Sequence, residues 1–330
     1  MLQLVRTATD LICPVGNGRI MNRRTVHKGF WQLADPKIWI ASTMPMLLAA
    51  SLAFLARPET FDWLWFFLAI LAVYLIEIGK NALNEYVDFR SGVDPAVDAE
   101  HRTPFSGGKK TIVDGLLTPG QTLWIAGLTF SSAAAIGLLM VWQRSVHLIY
   151  FGIAGIGLAI LYSLPPFKLA YRGWGEITVG FVFGPLLIAG MYWLMALRLD
   201  PAPLLLSLTP GAQITAVLVI NEFPDYEADR DGNKRNWVVR LGKQKSVGLY
   251  AALFAVSYFT LILSAIITGS WFWLLGLLSA PIAVRAIRVA ARHYNDIRQL
   301  TQANAMTVQA YILTGLLLVI GVIADAVLRA

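Results

Sequence analysis

Apolar residues run through this chain in blocks separated by short polar stretches, from about residue 38 to the C-terminus. A helix needs about 20 mostly apolar residues to cross a bilayer. Nine spanning helices are therefore predicted, near 38–56, 62–88, 120–141, 146–164, 174–195, 203–222, 246–268, 270–289 and 308–328. No intervening polar stretch is long enough for a second domain. Residues 1–36 read as a polar N-terminal arm, and 37–330 as one all-α, polytopic transmembrane bundle. Two connections, 89–119 and 223–245, are longer and richer in charge than the others and are expected to be functional lids or binding loops.

Charge sets the expected orientation. With nine spans the loops alternate sides, and 23 of the 27 Lys and Arg residues fall on the side of the N-terminal arm, against Arg57, Arg144, Arg198 and Arg329 on the other. Basic loops stay in the cytoplasm, so the arm and both long loops are expected there, in a cytoplasmic-membrane protein. Residues 1–30 contain Arg6, Arg19, Arg23, Arg24 and Lys28 but no apolar run ahead of a small-residue cleavage site, so no removable signal is predicted.

Composition narrows the class further. The chain is 57% hydrophobic and 14% charged, with a mean hydropathy of +0.60, whereas soluble domains carry about 25% charged residues. A soluble fold is excluded. The net charge of +7 is accounted for by topology and anionic lipid headgroups and calls for no nucleic-acid partner. Cys13 stands alone, which excludes an internal disulfide.

The chemistry lies in a repeated motif. Span two ends in Asn84-Glu85-Tyr86-Val87-Asp88, with Asp94 six residues on; span six ends in Asn221-Glu222-Phe223-Pro224-Asp225, with Asp229 and Asp231 following. Asn, Glu, an aromatic, Asp and a final Asp recur at a constant offset of 137 residues. An internal repeat of this kind puts matching carboxylates at the same end of two helices. Glu77, Lys80 or Asn81, Asn84 and Asp88 share one helical face. Asn221, Asp225 and Asp229 do likewise if the helix continues through Pro224, which either kinks it or starts a new one. Asp94 is out of phase with Asp88 on a straight helix, so Gly92 and Pro95 are expected to turn the chain back toward the site.

Ionisable groups at membrane depth are costly and mark a pathway or a site. Clustered aspartates repel one another unless a cation lies between them, and oxygen-only ligands with no thiolate or histidine cluster suit magnesium, which is held by one or two carboxylates together with substrate phosphates. The plainer reading, solvated helix ends paired with nearby Lys and Arg, serves for either motif alone but not for the repeated pair. Arg102, Lys109 and Lys110 follow the first motif, Lys168 and Arg172 lie between spans four and five, and Arg230, Lys234, Arg235 and Arg240 follow the second. Such donors suit a departing diphosphate.

These residues resemble the UbiA superfamily of intramembrane aromatic prenyltransferases over about 38–328. The likeness rests on Asn84-x-x-x-Asp88 with Asp94, Asp225-x-x-x-Asp229, Tyr162 followed by Lys168, and the span order. Tyr171-Arg172-Gly173-Trp174-Gly175-Glu176, Phe183-Gly184-Pro185 and the second motif followed by Lys234-Arg235 look most like the menaquinone branch. One departure is Gly92, which stands where many members have the third acid; Asp94 takes its place.

The resemblance implies Mg2+-dependent transfer of a polyprenyl group from a prenyl diphosphate to an aromatic acceptor, with 1,4-dihydroxy-2-naphthoate first, and 4-hydroxybenzoate, homogentisate or another quinone precursor as alternatives. It implies a bundle capped by the two long loops, with Asp88, Asp94, Asp225 and Asp229 as metal ligands. Catalytic roles fall to Asp88, Asp225, Lys168, Tyr162 and Glu176, and substrate binding to Asn84, Asn221, Arg102, Lys109, Arg172, Lys234 and Arg235. Glu77, Glu176 and Glu222 are candidates for orienting or deprotonating the acceptor. A transporter is the non-enzyme alternative, but its acids belong near the midplane rather than at one face. A CDP-alcohol phosphotransferase would carry an Asp-Gly-x-x-Ala-Arg run that is missing here.

Overall fold

Helix boundaries follow local capping chemistry. In the computed structural model, which describes residues 23–96, 103–105 and 108–329, α1 (Arg23–Ala34) leads through the 3-10 turn Pro36–Trp39 into α2 (Ile40–Ala56). The Asp62 carboxylate accepts from Leu64 N at the start of α3 (Trp63–Ser91), and Gly92, at φ 84°, ends it in the left-handed conformation that glycine tolerates. Thr118 and Gln121 form a reciprocal capping box on α4 (Pro119–Gln143). Then come α5 (Leu148–Ser163), α6 (Gly175–Ala196), α7 (Pro201–Glu222), the short α8 (Tyr226–Asp231) and α9 (Trp237–Leu241), α10 (Lys243–Thr268), α11 (Trp271–His293) and α12 (Ile297–Arg329).

Among the described residues eight helices are long and apolar enough to cross a membrane, with α1 and α2 counted as one, and α5 is a ninth apolar helix of 16 residues. Every predicted span meets a helix. The last begins 11 residues earlier than predicted, at Ile297 rather than 308. Its polar first turns bury Leu300, Ala303 and Thr307, and packing rather than hydropathy holds them.

Two features shape the bundle around its cavity. Within α6, Pro185 has no N–H to donate, and Val182–Leu186 forms a π-helical turn there. Small-residue contact between Gly184 and Gly211 brings α6 and α7 together. Side-chain hydrogen bonds knit the other half: Gln213 to Thr314 (3.0 Å), Ser279 to Thr314 (2.6 Å) and Tyr258 to Ser279 (2.9 Å). Helices α3, α4, α5 and α6 surround a cavity of ≈580 Å³ whose walls are apolar apart from Glu77, Lys80, Tyr162 and Thr178.

The end of the bundle away from the motifs is closed by Arg144, one of the sparse charges on that side. Its guanidinium donates to Thr60 O at 2.6 Å and Leu194 O at 3.1 Å, so it ties the α2–α3 connection to the last turn of α6.

Candidate active site

The first motif occupies the last turns of α3. Glu85 is buried and holds the following loop, accepting from Lys110 N, Thr111 Oγ1 and Ile112 N, each at 3.0 Å. One turn on, Asp88 Oδ1 accepts from the Tyr171 hydroxyl at 2.6 Å, and that hydroxyl also contacts Ser91 Oγ at 2.8 Å. The left-handed Gly92 then turns the chain into the helical turn Val93–Ala96 and buries Asp94, as expected. Lys110 Nζ donates to Asp94 Oδ1 at 2.8 Å and to Asp94 O at 2.7 Å. Burial, then the nearby Asp88 charge, push the Asp94 carboxyl up to about 7 against the pull of Lys110.

The second motif is bent differently. Helix α7 stops at Glu222, and α8 starts as a new helix after Pro224. The turn buries Asp229, whose Oδ2 accepts from Asn236 Nδ2 at 2.8 Å. Asp231, the repeat counterpart of Asp94, is instead exposed and paired with Arg230. Asp225, unlike the helical Asp88, stands in the break before α8, near enough to Asp229 and Lys234 to influence both, and the repeat fails at its final acid. Gly232 lies so close to Val93 that a Cβ there would come within 2.2 Å of Val93 Cγ2, so the two motif ends meet at a glycine.

Lys234 joins the two motifs. Its ammonium lies 3.7 Å from Asp88 Oδ2, 3.4 Å from Asp229 Oδ1 and 5.9 Å from the Tyr171 ring. Burial opposes its charge, but Asp229, Asp88, Tyr171 and Asp225 hold it well above the usual lysine range. Lys168, in the left-handed conformation at φ 44°, places its ammonium 4.6 Å from the Tyr171 ring centre. Tyr162 packs with Tyr86, Val87 and Tyr171 and also lines the cavity, so it connects carboxylates and cavity.

The remaining candidates are distributed less centrally. Asn84 is near Asp88 on α3, with its buried Nδ2 lacking a hydrogen-bond partner among the described residues. Asn221 Oδ1 accepts from Asn304 of α12 at 2.7 Å. The Glu176 carboxylate accepts from Trp237 N. Lys109 is turned away and pairs with Asp35. Arg172 and Arg235 are exposed at the rim, where their carbonyls accept from Arg240 at 2.8 Å. Arg102 lies outside the described residues. Sequence reasoning passed over Tyr171, Glu85 and Asn236. Glu85 stands in the repeated motif and Tyr171 at the head of the Tyr171–Glu176 stretch without a role assigned to either, and Asn236 had a signal as the N-cap of α9.

Among the described residues no three acids converge into a preformed metal cage. The donor set is nonetheless all oxygen, with Asp94 Oδ2 buried and without a hydrogen-bond partner. Such a set fits magnesium, which takes a minority of its ligands from protein and the rest from water and phosphate.

A membrane helical bundle with paired acid motifs over an apolar cavity has the build of an intramembrane transferase. The chain belongs to the UbiA prenyltransferase family, whose profile matches residues 43–309; it is a prenyltransferase. It is 27% identical over 296 residues to a 1,4-dihydroxy-2-naphthoate octaprenyltransferase of Bacillus subtilis, covering 89% of this chain and 91% of that one. It is 32% identical over 260 residues to the enzyme of the same name from Mycobacterium leprae, covering 76% and 84%. A UbiA homolog from Archaeoglobus fulgidus bound to GPP and Mg2+ shares the fold, with a TM-score of 0.57 at 13% identity, over 88% of this chain and 99% of that one.

Proposed function

We propose that this protein joins a polyprenyl chain to 1,4-dihydroxy-2-naphthoate, in menaquinone synthesis, using magnesium. The observation that carries the reading is the convergence of both acid motifs on Lys234, linked through the Tyr171 ring to Tyr162, which borders the apolar cavity. That juxtaposition gives a diphosphate a charged seat and its hydrocarbon a dry one. The naming of the Bacillus and Mycobacterium relatives supports the acceptor, and the archaeal homolog bound to GPP and Mg2+ supports the donor and metal.

In this reading Asp88, Asp94, Asp225 and Asp229 hold the metal. Magnesium, when bound, neutralises diphosphate charge and makes it a better leaving group. Tyr171 and Lys234 fix the Asp88 carboxylate, and Asn84 offers its amide to a phosphate oxygen. Lys168 and Lys234 take up negative charge as the allylic C–O bond breaks and its electron pair departs with the diphosphate. Arg172 and Arg235 meet the incoming diphosphate at the rim, whereas Lys109 is engaged by Asp35. The ring face of Tyr162, on the cavity wall, stabilises the allylic cation. A ring carbon of the acceptor supplies the pair for the new C–C bond. Loss of its proton restores aromaticity, and departure of the carboxylate as CO2 leaves a pair that a proton takes up. Glu176, which accepts from Trp237 N and stands off the cavity wall, orients the loop beside the site rather than taking that proton. The motif end faces the cytoplasm, as the basic-residue bias supports.

The test is purified protein in detergent with a polyprenyl diphosphate, Mg2+ and a choice of acceptors. A prenylated product with CO2 release from 1,4-dihydroxy-2-naphthoate is expected. Product from 4-hydroxybenzoate or homogentisate and none from the naphthoate overturns the acceptor assignment.

A further inference from the structure

Two turns below the acid motif, α3 carries a second polar station. Glu77 and Lys80 both line the ≈580 Å³ cavity, with Tyr162 on the opposite wall. Lys80 Nζ lies 6.0 Å from the Tyr162 ring centre. Glu77 is buried, and its Oε1 has no hydrogen-bond partner among the described residues. The two charges are near enough to influence each other, yet neither belongs to any ion pair within 4.0 Å among the described residues. An acid and a base facing an apolar cavity at membrane depth are costly to keep there. The carboxylate oxygen without a donor points to a ligand that supplies one.

Position adds to this. At 1.5 Å per residue, Lys80 is about 12 Å along α3 from Asp88 and Glu77 about 16 Å, with Asn84 between. A diphosphate seated at Asp88 and Asn84 would put its first allylic carbon on the path toward Lys80. Of the three glutamates that could serve an acceptor, Glu176 already accepts from Trp237 N, and neither it nor Glu222 lines this cavity. Glu77 does.

We infer that Glu77 and Lys80 form the acceptor seat and select an aromatic ring bearing both a hydroxyl and a carboxylate. The hydroxyl donates to Glu77 Oε1, the carboxylate takes the Lys80 ammonium, and the ring lies beside Tyr162. This rests on the acceptor reading above and extends it to named residues. A site built around an ammonium rejects a ring that leaves that charge unpaired.

The experiment compares steady-state kinetics of wild type, Lys80→Met, Lys80→Arg and Glu77→Gln with two acceptors, 1,4-dihydroxy-2-naphthoate and the same ring without its carboxylate, 1,4-naphthalenediol. Wild type is expected to show an acceptor KM about 10- to 100-fold higher for the diol, the worth of one charged hydrogen bond. Lys80→Met should lose that discrimination and Lys80→Arg retain part of it. Glu77→Gln should raise KM for both acceptors, and KM for the prenyl diphosphate should stay within a few-fold throughout. If Glu77 and Lys80 merely neutralise each other, thermal stability falls while the preference for the carboxylate persists in Lys80→Met, and the inference is overturned. If wild type prenylates neither ring, the acceptor reading itself fails and takes this inference with it.

Discussion

Lys234 Nζ lies 3.7 Å from Asp88 Oδ2, and the same ammonium is 3.4 Å from Asp229 Oδ1. One partly buried cation therefore ties the end of α3 to α8. Removing it leaves two buried carboxylates facing each other without a counter-charge and deprives the diphosphate of a donor. Lys234→Met is expected to lower turnover by about 10²–10³, the typical loss for one donor aimed at a developing charge. Rates within a few-fold of wild type would show that Lys234 is only a structural tie.

Tyr171 reaches the same carboxylate from the other side, donating to Asp88 Oδ1 at 2.6 Å. Tyr171→Phe deletes the hydroxyl and keeps the ring over which Lys168 and Lys234 lie. A hydrogen bond to a charged group contributes about 1.5–3 kcal/mol, so the Mg2+ concentration for half-maximal rate should shift by about tenfold or more. Acceptor KM should not move. A Mg2+ dependence identical to wild type means that Asp88 needs no help from Tyr171.

Glu85 accepts three hydrogen bonds from Lys110, Thr111 and Ile112, whereas its repeat counterpart Glu222 leaves Oε2 without a partner among the described residues. The repeat has been put to two uses: one glutamate pins a loop, the other does not. Glu85→Ala strands three donors, each costing about 1–3 kcal/mol when buried. Hydrogen exchange of the 109–117 amides is expected to accelerate by at least about tenfold, and Glu222→Ala should leave those amides protected. Equal protection in both variants removes Glu85 from this role.

Much of this architecture was legible because two periods carry it. Blocks of about 20 apolar residues mark the spans, and the 137-residue offset marks the acid motifs. Gly92 and Pro95 signalled the turn that brings Asp94 back, because their backbone preferences are local. What was not legible depends on how loops fold in three dimensions. Lys109 and Lys110 are neighbours in sequence, yet one pairs with Asp35 and the other with Asp94, since Lys110 adopts φ 56°. Asp231 matches Asp94 in the repeat, but the break at Pro224 turns Asp229 inward instead. Arg172 and Arg235 read as donors and stand at the rim. The role of Tyr171 gave no local signal, because its partner lies 83 residues away.

Asp94 and Asp229 set the expected pH response together, since burial lifts the Asp229 carboxyl to about 7 as well. Burial and the Asp88 charge lift the Asp94 carboxyl to about 7, above the 3.8 of an ordinary aspartate. A raised pKa in an acid means that the proton is held more tightly, and a metal ligand must shed that proton before it binds. Lowering the pH through 7 should therefore weaken magnesium binding, by about tenfold per unit for one competing proton. Above 7 the carboxylates are already ionised and the dependence should flatten. The measurement is the Mg2+ concentration for half-maximal rate at pH 6, 7 and 8, with prenyl diphosphate saturating. Protonation of the diphosphate itself near pH 6 acts in the same direction, so Asp94→Asn provides the control. That variant keeps the titrations of the donor and of Asp229 and loses the contribution of Asp94, so its pH slope should be shallower than that of wild type. Parallel slopes in the two proteins would show that Asp94 does not compete for the metal, leaving Asp88, Asp225 and Asp229 to hold it.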